Sequence, residues 1–345
     1  MNHLNPYSRC AKAGAATAAM MLAIASASSV FGAVAVSEPF AGVAASFPGT
    51  DGTGSKYTLF SPPVVRPIVT AGKATSINAN VLTDANAIWA NDQFNGVNGA
   101  HFVEFDSGDV VNVLSTDGAA KSLLLAANIQ GTVAPGVSYR VRKHLTIAAI
   151  FGPENAAGLL AGGNASEADN ILIAVPETQQ TLTVFYSNVP EFEGWYFADY
   201  SGAADYVVRP GQGLLVERKT SGNALLYLNG LVKNTATKLP VAEGYNLVGT
   251  LKVSSAIPLA DLNLYTAGSS TGIAGGFNYS SADNVLFISP SGATTTYFYS
   301  TVPGFVGWYD STYTAAGTTL IAPGSAFLIH RKAGNGVFTW TIPAE

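Results

Sequence analysis

The chain has 345 residues, enough for two or three domains that each bury a core of their own. Only 11% of the residues are charged while 48% are hydrophobic, a mix too apolar for a disordered chain. The formal net charge of −5 disfavours nucleic acid and anionic membrane surfaces as partners.

The first 35 residues are predicted to be a cleaved secretory signal peptide. Arg9 and Lys12 make its start positive, residues 13–31 form a small and apolar run, and an A-x-A cleavage site follows at residues 33–35. An uncleaved anchor fits less well, because the run ends in small residues rather than at a charged stop. Without this leader the chain carries 15 basic and 22 acidic side chains, a net charge of −7. Cys10, the only cysteine, would leave with it, so we expect no disulfide, thiolate nucleophile or cysteine-bound metal.

Residues 36–143 are predicted to form an N-terminal β-domain. One short strand-like piece lies at 57–60, after many Gly and Pro residues. His101–Phe105 and Val110–Val113 flank Asp-Ser-Gly-Asp, a sequence typical of a hairpin. Further strands are expected at 122–128 and 138–142, with Trp89 and Phe94 capping the core.

From Ala168 onward the chain repeats itself. Phe185–Lys219 and Phe298–Lys332, which start 113 positions apart, are identical at 16 of 35 positions without a gap. Both copies have A-D-N before an apolar strand, then F-Y-S, G-W-Y, and a P-G turn before a strand that ends in R-K. We therefore predict two tandem β-modules, residues 144–243 and 244–345.

Each module is predicted to hold short strands and one or two helical turns. Leu145, Ala148 and Phe151 have helical spacing, and Leu259, Leu262 and Tyr265 repeat it. The strands expected in the first copy are 171–175, 182–186, 206–208, 213–217 and 224–228, and those in the second are 285–289, 295–299, 319–321, 326–330 and 337–341. Many short strands without a long helix indicate an all-β fold of sandwich-like modules rather than a parallel α/β sheet.

Several of these motifs resemble a known group of proteins. The G-Y-N-L-V-G that opens at Gly244, the A-D-N, the G-W dyad and the P-G-Q-G-L-L-V-E-R-K strand are similar to a family of secreted bacterial conserved hypothetical proteins with repeated β-sandwich-like modules. A weaker similarity is to β-sandwich units of surface proteins that open with G-W-N-L, where this chain has Tyr245. The resemblance implies export from a bacterium, and it brings no catalytic residues with it.

Aromatic residues that recur in both copies are the first candidates for ligand binding. Trp195 and Tyr196 correspond to Trp308 and Tyr309. Exposed aromatic faces bind sugar rings through apolar contact, whereas large aromatics in β-modules usually fill the core. Exposure of the two tryptophans would favour a ligand site, and burial would favour a scaffold role. Because both tryptophans recur at the same place in the two copies, the scaffold role is the preferred interpretation.

Asp169 and Asp283 are the polar candidates for ligand binding, because both copies keep the Asp-Asn pair. A carboxylate beside an amide could help bind Ca²⁺, but that ion needs six to eight oxygens and no Asp-rich loop supplies them. The preferred interpretation is that the side-chain oxygens accept hydrogen bonds from free backbone N–H groups before a strand.

The sequence gives only weak support for a catalytic site. Gly268–Gly272 reads G-x-S-x-G with Asp310 and His330 downstream, but no helix follows Ser270 as a nucleophile elbow requires. Four carboxylates of the first copy that a glycoside hydrolase could use have no acidic counterpart in the second: Glu191, Glu193, Asp199 and Asp205. The histidines outside the leader are scattered, without zinc-site spacing. We expect no cofactor and no metal.

The sequence thus favours a secreted, non-catalytic structural or adhesive protein of the cell surface or extracellular matrix. A glycan-binding module using exposed aromatics is the alternative, and a secreted hydrolase is a third. Expected partners are cell-envelope components, glycans or further copies of the chain, without nucleic acid and without a membrane span after signal cleavage. Periplasm, cell surface and medium remain open as locations.

Overall fold

The structure, a computed structural model, describes residues 38–52 and 54–345. The predicted signal peptide and its cleavage site lie outside the described residues. Residues 39–345 form one unit of many strands with two short helical turns and one helix of five residues, the all-β class that the sequence predicts. None of the helices in the described ranges has the length and apolar character to cross a bilayer.

Four stretches of chain supply the strands. Residues 40–65 contain β1 (Phe40–Phe47), β2 (Lys56–Phe60) and β3 (Val64–Val65). Residues 68–143 contain β4 (Ile68–Lys73), β5 (Ser76–Asn78), β6 (Val81–Thr83), a 3-10 turn (Gly96–Asn98), β7 (His101–Phe105), β8 (Val110–Asp117), β9 (Ser122–Leu125) and β10 (Ser138–Lys143). Residues 145–232 contain β11 (Leu145–Thr146), α1 (Ile147–Phe151), β12 (Asn170–Val175), β13 (Gln180–Ser187), β14 (Gly194–Phe197), β15 (Val207–Val208), β16 (Leu214–Arg218) and β17 (Ala224–Val232). Residues 237–342 contain β18 (Thr237–Val241), β19 (Gly244–Gly249), β20 (Ile257–Pro258), a 3-10 turn (Leu259–Leu262), β21 (Asn284–Ile288), β22 (Thr294–Ser300), β23 (Gly307–Asp310), β24 (Leu320–Ile321), β25 (Ala326–Arg331) and β26 (Phe338–Ile342).

The last stretch is a complete module, which we call the second module (residues 237–342). Its five-stranded antiparallel sheet has the order β19-β25-β21-β22-β23, and two ribbons, β18-β26 and β20-β24, accompany it. Alternate side chains of these strands meet in one apolar core that contains Trp308, Phe327 and Trp340. The predicted helical turn is the 3-10 turn at Leu259–Leu262, whose two leucines are buried in that core.

The first module has the same strands but is assembled from two separate pieces of chain. Its sheet has the order β2-β16-β12-β13-β14, and β1 pairs with β17 as β18 pairs with β26. The register also matches, since Tyr57 lies opposite Glu217 in the first module and Tyr245 lies opposite His330 in the second. The first module therefore consists of residues 39–65 and 144–232, and its core contains Phe47 and Phe60 from the first piece.

An inserted domain, residues 66–143, separates the two pieces. Its seven strands form a sheet in the order β4-β10-β7-β8-β9-β6-β5, and the predicted hairpin is β7-β8, with Glu104 opposite Val110. Trp89 and Phe94 lie in its own apolar core, as predicted. Strand pairing thus crosses the boundaries predicted for the modules: β1 and β2 pair within the first module, and β18 pairs with the last strand of the second.

A buried charge cluster ties the inserted domain to the chain after β17. The Arg142 guanidinium lies 2.9 Å from the Glu104 carboxylate, and the Lys233 ammonium lies 3.4 Å from the other oxygen of Glu104. All three side chains are fully buried. Because losing one partner would leave a buried charge uncompensated, this cluster holds the inserted domain against the segment that follows β17.

The two modules pack face to face with approximate twofold symmetry. Phe60 forms a bridge with Ser325, and Val248, the counterpart of Phe60, forms one with Gln212, the counterpart of Ser325. Leu59 and its counterpart Leu247 are buried in the small apolar cluster between the two sheets.

The backbones of the two modules approach each other closely at this interface. A Cβ on residue 249 would lie 2.2 Å from the Ser61 side chain, so only glycine fits at Gly249. Ser61 N donates to Gly324 O and Gly249 N donates to Gly211 O, both at 2.9 Å, which repeats one hydrogen bond on each side of the symmetry axis.

Candidate functional site

The repeated tryptophans are buried. Trp195 is 2% exposed and Trp308 is 6% exposed, and each lies in the core of its own module. The Trp195 indole donates to Gly152 O at 2.8 Å, which ties β14 to the end of α1. Tyr196 and Tyr309 are half-buried and lie near Phe185 and Phe298. Burial in the core favours a scaffold role for both tryptophans.

Asp169 and Asp283 are also buried, and both are engaged. The Arg218 guanidinium lies 3.0 Å from Asp169, and the Arg331 guanidinium lies 2.9 Å from Asp283. The remaining oxygen of each aspartate accepts from a backbone N–H, that of Lys219 at 2.6 Å or Lys332 at 2.7 Å. Each aspartate thus joins a loop to the end of the strand that carries R-K.

The residues of the hydrolase motif are not joined in one site. Ser270 is exposed in a turn, whereas the His330 ring stacks on Tyr245 at 4.3 Å. Within the described ranges, no hydrogen bond links Ser270 to His330. Asp310 accepts from the Thr312 hydroxyl and from two backbone N–H groups of its own turn.

The carboxylates considered for glycoside hydrolysis lie on the surface. Glu191, Glu193, Asp199 and Asp205 are all exposed. Hydrogen bonds from Ser201 lower the pKa of Asp199, the opposite of what a general acid needs. Among residues 38–52 and 54–345, no three His, Cys, Asp or Glu side chains come together as a metal site.

Other aromatic residues recur in both modules and are exposed. Phe192 and its counterpart Phe305 are 61% and 63% exposed, and Tyr200 and its counterpart Tyr313 are 58% and 57% exposed. Both tyrosines have φ 64°, a backbone conformation that is strained for a tyrosine. They flank the outermost strand of each sheet, β14 or β23. We call these side chains the aromatic pairs.

The outer part of the sheet face differs between the modules. In the first module, Tyr57 OH donates to Glu217 at 3.3 Å and the Asn170 amide donates to the other Glu217 oxygen at 2.8 Å. Burial and the Glu217 carboxylate raise the pKa of Tyr57. Lys219 lies 3.8 Å from Glu217 and donates to Ala165 O at 2.6 Å. These four side chains are therefore bonded to one another or to the backbone.

The same face of the second module is an open groove of about 520 Å³, which we call the Tyr245 groove. His330 replaces Glu217 on the equivalent strand, and its ring lies parallel to that of Tyr245, which is 47% exposed. The polar side chains that line it include those of Tyr245, Asn284, Thr294, Thr296, His330 and Lys332. Burial lowers the pKa of His330, so its imidazole is neutral at physiological pH.

Equivalent hairpin turns of the two modules account for part of this difference. Gln179, in the β12-β13 turn, accepts from Tyr245 N at 2.6 Å, so it holds the backbone of Tyr245 and leaves the ring exposed. Its counterpart is Gly292 in the β21-β22 turn, where an added Cβ would lie 3.5 Å from the Tyr57 ring. The second module's turn thus lies against Tyr57, which is only partly exposed.

A larger cleft of about 590 Å³ lies where both modules and the inserted domain meet. Its walls are mainly apolar, and its polar side chains are already used. Asn112 bonds the buried His144 at 3.0 Å, Arg209 lies 3.5 Å from Glu177, and Asn246 bonds the backbone of Ala242. This cleft has the size of a ligand site but offers few free polar groups.

Sequence reasoning missed both the aromatic pairs and the Tyr245 groove. Phe192 and Phe305 lie inside the aligned repeat, but periodicity does not distinguish an exposed aromatic in a turn from a core residue. The sequence does contain a signal for the groove, because Tyr57-Thr-Leu matches Tyr245-Asn-Leu, but the inserted domain separates the first of these segments from the rest of its module.

Comparison with models of known families, with curated proteins and with solved structures finds no match.

Proposed function

We propose that this chain is a secreted, non-catalytic adhesive protein of a bacterial cell surface or extracellular matrix. The observation that carries the proposal is the aromatic pairs: two modules present Phe192 and Tyr200, or Phe305 and Tyr313, more than half exposed at equivalent positions. Nearby exposed positions differ, since Asp199 corresponds to Thr312. Core packing accounts for buried aromatics, whereas exposed ones are typical of contact surfaces.

Two equivalent surfaces on one chain also favour adhesion. When both can be engaged at once, the second contact is intramolecular, so weak surfaces together bind a repetitive partner such as a cell envelope or matrix much more tightly. The low fraction of charged residues, 11%, limits charge repulsion between neighbouring chains.

The test is co-sedimentation of the exported chain with envelope and matrix fractions, with its own association measured by analytical ultracentrifugation. Wild type is expected to pellet, and the double variant F192S/F305S is expected to lose most of the binding while keeping its unfolding temperature. Tyr227, which is 71% exposed on β17, gives the control variant Y227S, expected to behave as wild type. A wild-type chain that stays monomeric and binds no fraction would rule the proposal out.

A glycan-binding role through Trp195 and Trp308 is not supported, because both rings are buried. The Tyr245 groove has the exposed aromatic ring that such a role needs.

A further inference from the structure

The Tyr245 groove and the face around Tyr57 occupy the same place in the two modules, so comparing them isolates what is special to the groove. Tyr57 and Tyr245 lie at the same register position, opposite Glu217 and His330 respectively. With histidine in place of the glutamate, none of the described residues that line the Tyr245 groove carries a carboxylate.

That exchange also leaves a lysine without a partner. In the first module Lys219 interacts with Glu217 and donates to Ala165 O. Its counterpart Lys332 lines the groove, and its ammonium has no ion pair or hydrogen bond within the described ranges. Asp283 is committed to the buried Arg331, and Glu243 accepts from the N–H groups of Gly334 and Gly336. The groove therefore has one uncompensated positive charge.

The remaining groove side chains fit a sugar. The stacked rings of Tyr245 and His330 form an apolar platform, and the hydroxyls of Tyr245, Thr294 and Thr296 make no hydrogen bond within the described part of the chain. Free hydroxyls beside an aromatic face suit a ligand that is apolar on its ring face and hydroxylated at its edge. The ring nitrogens of His330 also make no hydrogen bond there.

We propose that the Tyr245 groove binds an acidic saccharide, with a uronic-acid ring lying against Tyr245 and its carboxylate paired with Lys332. Thr294 and Thr296 hydrogen-bond the sugar hydroxyls, and Gln179 holds Tyr245 in place through its backbone. Charge complementarity selects the acid over a neutral sugar, because a charged hydrogen bond is stronger than a neutral one. The first module does not bind the acid, because Glu217 would repel it.

The test is isothermal titration calorimetry of the exported chain with trigalacturonic acid and with its methyl ester, which is neutral. The acid is expected to bind about tenfold more tightly than the ester. K332M is expected to remove that preference. Y245A and H330E are each expected to weaken binding of the acid by about tenfold or more, since H330E installs the glutamate of the first module.

The matched control is Y57A, which changes the equivalent tyrosine and is expected to leave the affinity for the acid unchanged. Unfolding temperatures are measured for every variant, and H330E keeps the test decisive if Y245A folds poorly. Equal affinity for acid and ester, equal losses in Y57A and Y245A, or no heat of binding with either sugar would each overturn the proposal. The groove is separate from the aromatic pairs, so this result does not depend on adhesion.

Discussion

The two modules have equivalent interiors and different outer sheet faces. Each buries a tryptophan on its outermost strand and an Asp–Arg ion pair at the end of the strand that carries R-K. On the outer face, however, the first module satisfies its polar groups internally through Glu217, whereas the second leaves Tyr245, His330 and Lys332 available. Duplication kept what folding requires, and the two faces diverged where folding does not constrain them.

The largest expected effect tests whether the interiors are equivalent. D169N and D283N each leave a buried guanidinium without its carboxylate, and each places an amide where a backbone N–H donates. We expect each variant to lower the free energy of unfolding by about 3–5 kcal/mol, measured by urea denaturation. Similar losses would support equivalence, while a loss below about 1 kcal/mol in one module would contradict it.

The symmetry of the module interface gives the next effect. Leu59 and Leu247 are 9% and 7% exposed and belong to the same small cluster. We expect L59A and L247A each to cost about 2–4 kcal/mol, because each opens a cavity between the sheets. The free energy of unfolding is measured by urea denaturation. If only one of the two variants lost stability, the two sides of the interface would not contribute equally, despite the approximate twofold symmetry.

The sequence alone predicts much of the modular fold, because the repeat and the alternation of apolar residues lie within continuous stretches. The strands expected at 171–175 and 326–330 differ from β12 and β25 by one residue at one end. The helical turn expected from Leu259 and Leu262 is present.

The assembly of the first module from two pieces was not predicted. β2 pairs with β16, which lies on the far side of the inserted domain in the sequence, and a five-residue strand is too short to be recognised as a repeat. The candidate site was located less well than the fold. The recurrence of Trp195 and Trp308 is visible in the sequence, but their burial depends on which face of β14 and β23 meets the core. The groove depends on the exchange of Glu217 for His330 and on the different hairpin turns at Gln179 and Gly292, and the effect of both depends on cross-strand neighbours.

The third effect is a dependence of stability on pH, and it comes from a histidine that only the first module has at the point where the inserted domain joins it. His144 lies where the chain returns from the inserted domain, and Ala256 occupies its place in the second module, because Leu145 and Ile257 pair with equivalent residues. Its Nε2 bonds Asn112, while its Nδ1 is buried without a hydrogen-bond partner among the described residues. Burial, together with the nearby Arg209 and His101, lowers the pKa of His144 to about 3.

The unfolded chain therefore takes up a proton at His144 below its ordinary pKa of about 6.5, whereas the folded chain does not do so until about 3. Stability should fall as pH drops through that window, with His144 contributing up to about 1.4 kcal/mol per pH unit. We expect H144N to have a shallower slope of unfolding free energy against pH than wild type. The half-exposed His330, whose pKa is lowered less, supplies the comparison H330N, which is expected to flatten the slope less than H144N does. Equal slopes in H144N and wild type would refute this role.

The smallest effect tests whether an equivalent turn carries the same strain. In the first module Phe192 N donates to Val189 O at 2.9 Å, which closes a turn with Glu191 at φ 68°. The second module closes the same turn with Gly304 at φ 82°, a conformation that glycine adopts without steric cost. An added Cβ at residue 304 would meet nothing within 4 Å, so only the backbone conformation separates the two residues. We expect E191G to raise the free energy of unfolding by about 0.5–1 kcal/mol and G304E to lower it by a similar amount, measured by urea denaturation. If both changes destabilised the chain, the Glu191 side chain would have to stabilise the first module by more than its backbone strain costs, and the two turns would not be equivalent.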